Sequence, residues 1–172
     1  MSQPESNRRV GQIMLFLAWL AGMFLAVQWF SGVEQRQRNP NMQVDSLRQN
    51  EVIEVRLRAN RQGHYLASGL INGQPVTFLL DTGATFVAVP ASLGPALGLQ
   101  PGRRTLVNTA NGQTDSFTTR IDSLVLGDIR LQGVDAGLVP GMAGDEVLLG
   151  MSALRQLEFS QQGGELILRH WR

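Results

Sequence analysis

The sequence predicts a closed all-β domain carrying one or two short helices and preceded by a single N-terminal transmembrane helix. Three observations carry this. One long apolar run lies near the start, from Val10 to Val33. After about residue 51 the chain alternates short apolar, β-branched runs with turn residues, and it has little helical periodicity. Two of those turns are Asn-Gly pairs between apolar runs, a strong hairpin signal. At 172 residues, one domain plus an appendage is expected. The net charge of +1 gives no case for nucleic acid as a partner. With no cysteine, neither a disulfide nor a thiolate metal site is available.

Residues 1–9 are polar, end in Arg8-Arg9, and read as a cytoplasmic tail. In the run 10–33, Ile13 through Val27 has no polar side chain, and about twenty apolar residues suffice to span a bilayer core as a helix. Trp29 and Phe30 lie at its far end, where interfacial aromatic residues belong. A cleaved signal peptide is the rival reading. An uncleaved anchor is preferred because the run is long and Ser31-Gly32-Val33 makes a poor cleavage site. A short N-terminal tail before a lone anchor favours a cytoplasmic N-terminus and an extracytoplasmic domain. Residues 34–50 are rich in Gln, Arg and Asn and read as a linker with a reach of roughly 20–25 Å if flexible.

The domain is expected over 51–172. Val52, Val55 and Leu57 alternate with charges, suggesting a half-exposed strand. His64 to Leu70 and Pro75 to Leu80 suggest a hairpin across Asn72-Gly73. Val87 to Val89 is a short buried strand, and a short helix follows from Pro90 to Gly98, with Leu93 and Leu97 inward. Thr105 to Ala110 and Gln113 to Arg120 flank Asn111-Gly112 as a second hairpin. Ile121 to Leu126, Ile129 to Val139 and Val147 to Leu149 read as further strands. Met151 to Gln156 reads as a short helix, and a last hairpin turns at Gln162-Gly163-Gly164. Leu166, Leu168 and Trp171 alternate with polar residues as a core or interface strand.

One stretch stands out: Leu79-Leu80-Asp81-Thr82-Gly83-Ala84-Thr85 followed by the apolar run to Pro90. A lone carboxylate sits in a tight turn between two buried runs. There Thr82 offers a hydroxyl, and Gly83 lets a backbone N–H approach closely. Taken alone, Asp-Thr-Gly is as consistent with a structural turn. Leu148-Leu149-Gly150-Met151, further along the chain, is an apolar pair and glycine opening a helix.

These motifs, in this order, resemble the active-site loop, flap and apolar-apolar-Gly segment of the retroviral-type (retropepsin-like) aspartic proteases. The resemblance covers roughly residues 51–172 and is closer to the bacterial membrane-anchored members. It implies a closed acid-protease barrel and endopeptidase activity. It implies Asp81 as the catalytic carboxylate with Thr82 and Gly83 beside it. Ala84, Asn111 and Gly112 would meet substrate, the last two at the flap tip. Leu148, Leu149 and Gly150 would pack beneath the loop. No cofactor or metal is implied. Two carboxylates sharing one proton supply both base and acid for peptide hydrolysis. This chain has one Asp-Thr-Gly, so the resemblance implies a homodimer with one Asp81 from each protomer. In retroviral relatives the terminal strands of the two protomers interleave at the dimer interface. The family's acidic residue after Asp-Thr-Gly-Ala and its Arg after the Gly are replaced by Thr85 and Met151, so an ion pair that supports the retroviral dimer is missing. A shared anchor would raise the effective concentration of partners.

Other residues carry less. His64 and His170 lack metal-ligand spacing. Ser92, Ser116 and Ser152 lack a nucleophile-elbow context. Asp115, Asp122, Asp128, Asp135 and Asp145 read as surface carboxylates, and Arg103-Arg104 as a solvated loop. The alternative to an endopeptidase is a catalytically inactive domain of the same fold that binds peptides or mediates assembly.

Overall fold

The computed structural model describes residues 5–49, 51–109 and 112–171. It separates into two units, Met1–Gln37 and Arg38–Arg172. The first is helical. Helix α1 (Glu5–Arg38) has no proline in its interior, and its large apolar side chains from Val10 to Phe30 are exposed. The stretch Val10–Arg38 contains an apolar helical segment long enough to cross a membrane.

The second unit is built almost wholly of strands: β1 (Ser46–Gln49), β2 (Val52–Arg58), β3 (Leu66–Ile71), β4 (Gln74–Leu80), β5 (Val87–Pro90), β6 (Arg104–Thr109), β7 (Gly112–Leu126), β8 (Ile129–Val139), β9 (Glu146–Leu149), β10 (Glu158–Gln162) and β11 (Glu165–Trp171). A short helix α2 (Met151–Leu154) follows β9. Seven strands run in the order β3-β4-β9-β5-β8-β7-β6, and an additional β3–β7 pairing closes the first six into a ring. This is the closed all-β core that the turn density predicts. β1, β2, β11 and β10 form a second sheet. Alternation sends Val55 and Leu57 of β2 and Leu168 of β11 into the core, fully buried, beside Phe78, Val87, Ile121 and Leu149 of the ring.

Asn72-Gly73 forms the tight β3–β4 turn, with φ of 50° and 81°, the left-handed pair that such a hairpin needs. Asn72 also donates to the Leu97 carbonyl and accepts from the Ser123 amide, which fixes the turn against the barrel.

Several expectations need correction. Residues 34–50 are not a linker throughout. α1 runs to Arg38, and β1 pairs with β2 from Ser46 to Gln49. Asn39 and Asn41 are buried, and the compact unit starts at Arg38 rather than near residue 51. The segments 113–120 and 121–126 are one fifteen-residue strand, β7, whose first part pairs with β6 and whose remainder pairs with β8. The helix expected over 90–98 is a single 3-10 turn, Ala91–Leu93, followed by further turns. Arg104 lies in a strand, not a solvated loop, and pairs with Asp115. Trp171 is 53% exposed and lies outside the core.

Candidate active site

Asp81 follows β4 directly, and β5 begins at Val87. The two strands are not neighbours. β9 lies between them, parallel to β4 and antiparallel to β5. Residues 81–86 must therefore pass over the end of β9, where Leu148, Leu149 and Gly150 sit. Leu149 is buried in the core, and Leu148 pairs with both Leu79 and Ala88.

The crossing is held by hydrogen bonds from below. The Asp81 amide donates to the Leu149 carbonyl at 3.2 Å. The Met151 amide donates to the Ala84 carbonyl at 2.8 Å. The Val87 amide donates to Ser152 Oγ at 3.0 Å. Gly150 has to be glycine, because a Cβ there would overlap the Phe86 carbonyl oxygen and lie 2.7 Å from that of Ala84.

Within the loop, the Asp81 Oδ1 accepts the Gly83 N–H at 2.8 Å, and the Asp81 carbonyl accepts the Ala84 N–H at 3.2 Å. The carboxylate is half-buried and oriented by its own turn, while Thr82 and Gly83 are exposed. A Cβ on Gly83 would sit 3.1 Å from Asp81 Oδ1, so a side chain there crowds the carboxylate. The chain thus presents one positioned carboxylate and an exposed Thr-Gly shoulder.

The residues expected to act together divide into two groups. Asp81, Thr82, Gly83 and Ala84 come together with Leu148, Leu149 and Gly150. Gly112 opens β7, which is not a neighbour of β4 or β9 in the sheet, with φ of 104° opposite Thr109 of β6. Asn111 lies outside the described residues. Thr85 is exposed and Met151 is partly buried against the core, so the two positions that carry an ion pair in retroviral enzymes hold none here. The terminal strand is not left open for a partner. β11 pairs with β2 on one side and β10 on the other, within one chain. Its backbone groups are already committed.

Sequence reasoning missed Ser152, which was weighed only as a nucleophile. It is 5% exposed, and its Oγ donates to the Asp135 carbonyl at 2.7 Å while accepting from Val87. Its partners are 17 and 65 residues away in the chain, so no local pattern marks it. A separate open cleft of about 480 Å³ lies on the second sheet, lined by residues that include Leu47, Glu54, Arg169 and Trp171. Glu54 there is bonded to both Arg56 and Arg169.

Comparison with known proteins bears on this geometry. A family model described as "gag-polyprotein putative aspartyl protease" matches residues 67–156, a span that holds both the Asp81 loop and the Leu-Leu-Gly segment. A curated relative from Sinorhizobium sp., described as an uncharacterized protein in the cobV 5' region, is 31% identical over 129 residues, or 73% of this chain. The chain spans about half the length of that relative, 54%. The crystal structure of a retropepsin-like aspartic protease from Rickettsia conorii superposes with a TM-score of 0.58 at 24% identity, covering 74% of this chain and 94% of that one. EIAV protease complexed with the inhibitor HBY-793 gives 0.45 at 21% identity, covering 56% of this chain and 89% of that one.

Proposed function

Since the chain belongs to the gag-polyprotein aspartyl protease family, we propose that it is a membrane-anchored aspartic endopeptidase, active as a homodimer. The observation that carries this is the Asp81 loop. A half-buried carboxylate is oriented by the Gly83 amide in a turn clamped by residues 149–152, in a retropepsin-like barrel.

Hydrolysis of a peptide bond needs a base to take a proton from water and an acid to protonate the carbonyl oxygen and then the leaving nitrogen. One protomer supplies one suitable carboxylate. Two Asp81 side chains brought together across a two-fold axis supply both roles, because like charges that close cannot both ionise and the pair keeps one proton. The water between them loses a proton to the ionised Asp81 as its oxygen bonds to the substrate carbon. The protonated Asp81 gives its proton to the carbonyl oxygen. Return of a proton to the amide nitrogen lets the C–N bond break.

The exposed Thr82 hydroxyl is assigned to a bond across the two-fold axis, which would hold the two loops in register. Gly83 and Ala84 offer backbone groups to an extended peptide. The tip of the β6–β7 hairpin, at Asn111 and Gly112, is assigned the cover over it. The α1 anchor confines both protomers to one membrane and raises their effective concentration. This matters in a chain that has no ion pair at positions 85 and 151 and whose β11 is paired internally. The domain is assigned to the extracytoplasmic side of the inner membrane.

The test is hydrolysis of an unstructured protein by the full chain in detergent, from pH 3 to 7, beside Asp81→Asn. Activity that a pepstatin-type inhibitor suppresses and the variant lacks supports the reading. An inactive wild type that is demonstrably dimeric and still binds peptide would instead support a binding module.

A further inference from the structure

We propose that Ser152 is the positioning residue of the Asp81 loop, the one side chain in the clamp that holds it. The inference rests on the endopeptidase reading for its catalytic consequence, but not for its structural core.

Of the three hydrogen bonds that tie the crossing to the 149–152 segment, two run between main-chain groups. Substitution does not remove them directly. The third, Val87 N–H to Ser152 Oγ, exists only because residue 152 carries a hydroxyl. The hydroxyl proton is already committed to the Asp135 carbonyl, so a lone pair faces Val87. Direction is therefore fixed at both ends.

The site is also where the β5–β8 ladder starts. Val87 is the first residue of β5, and Asp135 immediately precedes its opposite number in β8, Ala136. Ser152 thus supplies a rung just where the β5–β8 pairing begins, and it joins α2 to both strands. Without the hydroxyl, the buried Val87 N–H and the part-buried Asp135 C=O lose this partner. The cheapest relief is a small shift of the 86–87 backbone, and that backbone is the far end of the catalytic loop. In a dyad the shift enters twice, once from each protomer. A misplacement of about 1 Å at reacting groups is enough to lower a rate about 100-fold.

Amide hydrogen exchange on the full chain tests the structural core. Ser152→Ala is expected to speed exchange at Val87 at least about tenfold while Val89, in the same strand, keeps its protection. Unchanged exchange at Val87, or equal loss at both, overturns the proposal. If Ser152→Ala does not fold, Ser152→Cys replaces it, since it keeps the size and weakens the acceptor. Steady-state hydrolysis tests the consequence. With activity normalised to the folded fraction, Ser152→Ala is expected to lower kcat about 10- to 100-fold with KM within about twofold, and Ser152→Thr to restore most of it. A normalised kcat equal to wild type overturns the catalytic role. A wild type that hydrolyses nothing while Val87 still loosens selectively leaves the clamp standing and removes the endopeptidase reading instead.

Discussion

The Met151 amide donates to the Ala84 carbonyl at 2.8 Å, so the first residue of α2 is bonded to the loop that carries Asp81. Helix and loop come from segments nearly seventy residues apart and meet over the end of β9. The residue between them, Gly150, has φ of −88° and ψ of −172°, a conformation open to any amino acid. Space, not backbone freedom, demands glycine there.

Gly150→Ala is therefore expected to be costly. The added Cβ meets two main-chain oxygens, of Phe86 and Ala84, and neither can rotate away. Overpacking of this kind costs about 1–3 kcal/mol, and the only relief is to lift the loop. Urea unfolding should show a lower midpoint, and hydrolysis should fall by more than the loss of folded protein explains. A variant with wild-type stability and activity would show that the loop is not seated on Gly150.

The segment just after α1 should prove part of the domain. Asn41 donates to the carbonyls of Arg58 and Leu66 at 2.9 and 2.6 Å and accepts the Arg58 amide at 2.8 Å. Its own carbonyl accepts from Ser68 at 3.1 Å, and Asn39 donates to the Ser68 hydroxyl. Asn41→Ala strands three backbone groups, at about 1–3 kcal/mol for each one left dry. We expect about 2–4 kcal/mol of lost stability by urea titration. A fragment starting at residue 51 should be far less stable than one starting at Arg38. Equal stability of the two fragments would refute this.

The reason the sequence hid that segment is physical. A solvated Asn and an Asn satisfied by buried carbonyls look the same until the chain is folded, because Asn41's partners lie 17 and 25 residues onward. The same applies to Ser152. By contrast, Asn72-Gly73 and the Asp81 turn carry their geometry in adjacent residues and could be read directly. From sequence alone β7 looks like two strands, because Thr118 to Ile121 mixes polar and apolar residues. The strand is continuous there because β8 takes over at Phe117, where the pairing with β6 ends. Interleaved terminal strands were expected from family likeness. Here β11 finds both of its strand neighbours, β2 and β10, within one chain.

The β6–β7 hairpin is pinned near its base by Arg104, whose Nε and guanidinium nitrogen reach both oxygens of Asp115 at 2.8 and 2.7 Å. The pair is exposed, so its removal should scarcely change global stability. Its effect should be local. In Arg104→Gln, amides of residues 105–108 should exchange faster while those of β8 stay protected. If the hairpin covers substrate, KM should rise with little change in kcat. Uniform exchange across both regions would show that the pair does not hold the hairpin.

The second sheet should give the domain an acid-sensitive contribution through Glu54. Its carboxylate accepts from Arg169 across the β2–β11 pairing and from Arg56 along β2, each at 2.8 Å. The Arg169 bond, then the Arg56 bond, holds Glu54 below its ordinary value of 4.5, against a smaller opposing effect of burial. A carboxyl whose folded pKa is depressed binds its proton more readily in the unfolded chain. Stability from Glu54 is thus fully present above about pH 4.5 and falls as pH drops through the lowered folded value. Glu54→Gln should be less stable than wild type at pH 6–7, and the gap should narrow steadily below pH 4.5. Urea midpoints of both proteins between pH 7 and 3 measure it. A gap that stayed constant with pH would mean that Glu54 contributes by packing alone. A gap that widened in acid would reverse the sign of the shift and rule out the two arginine bonds as its cause.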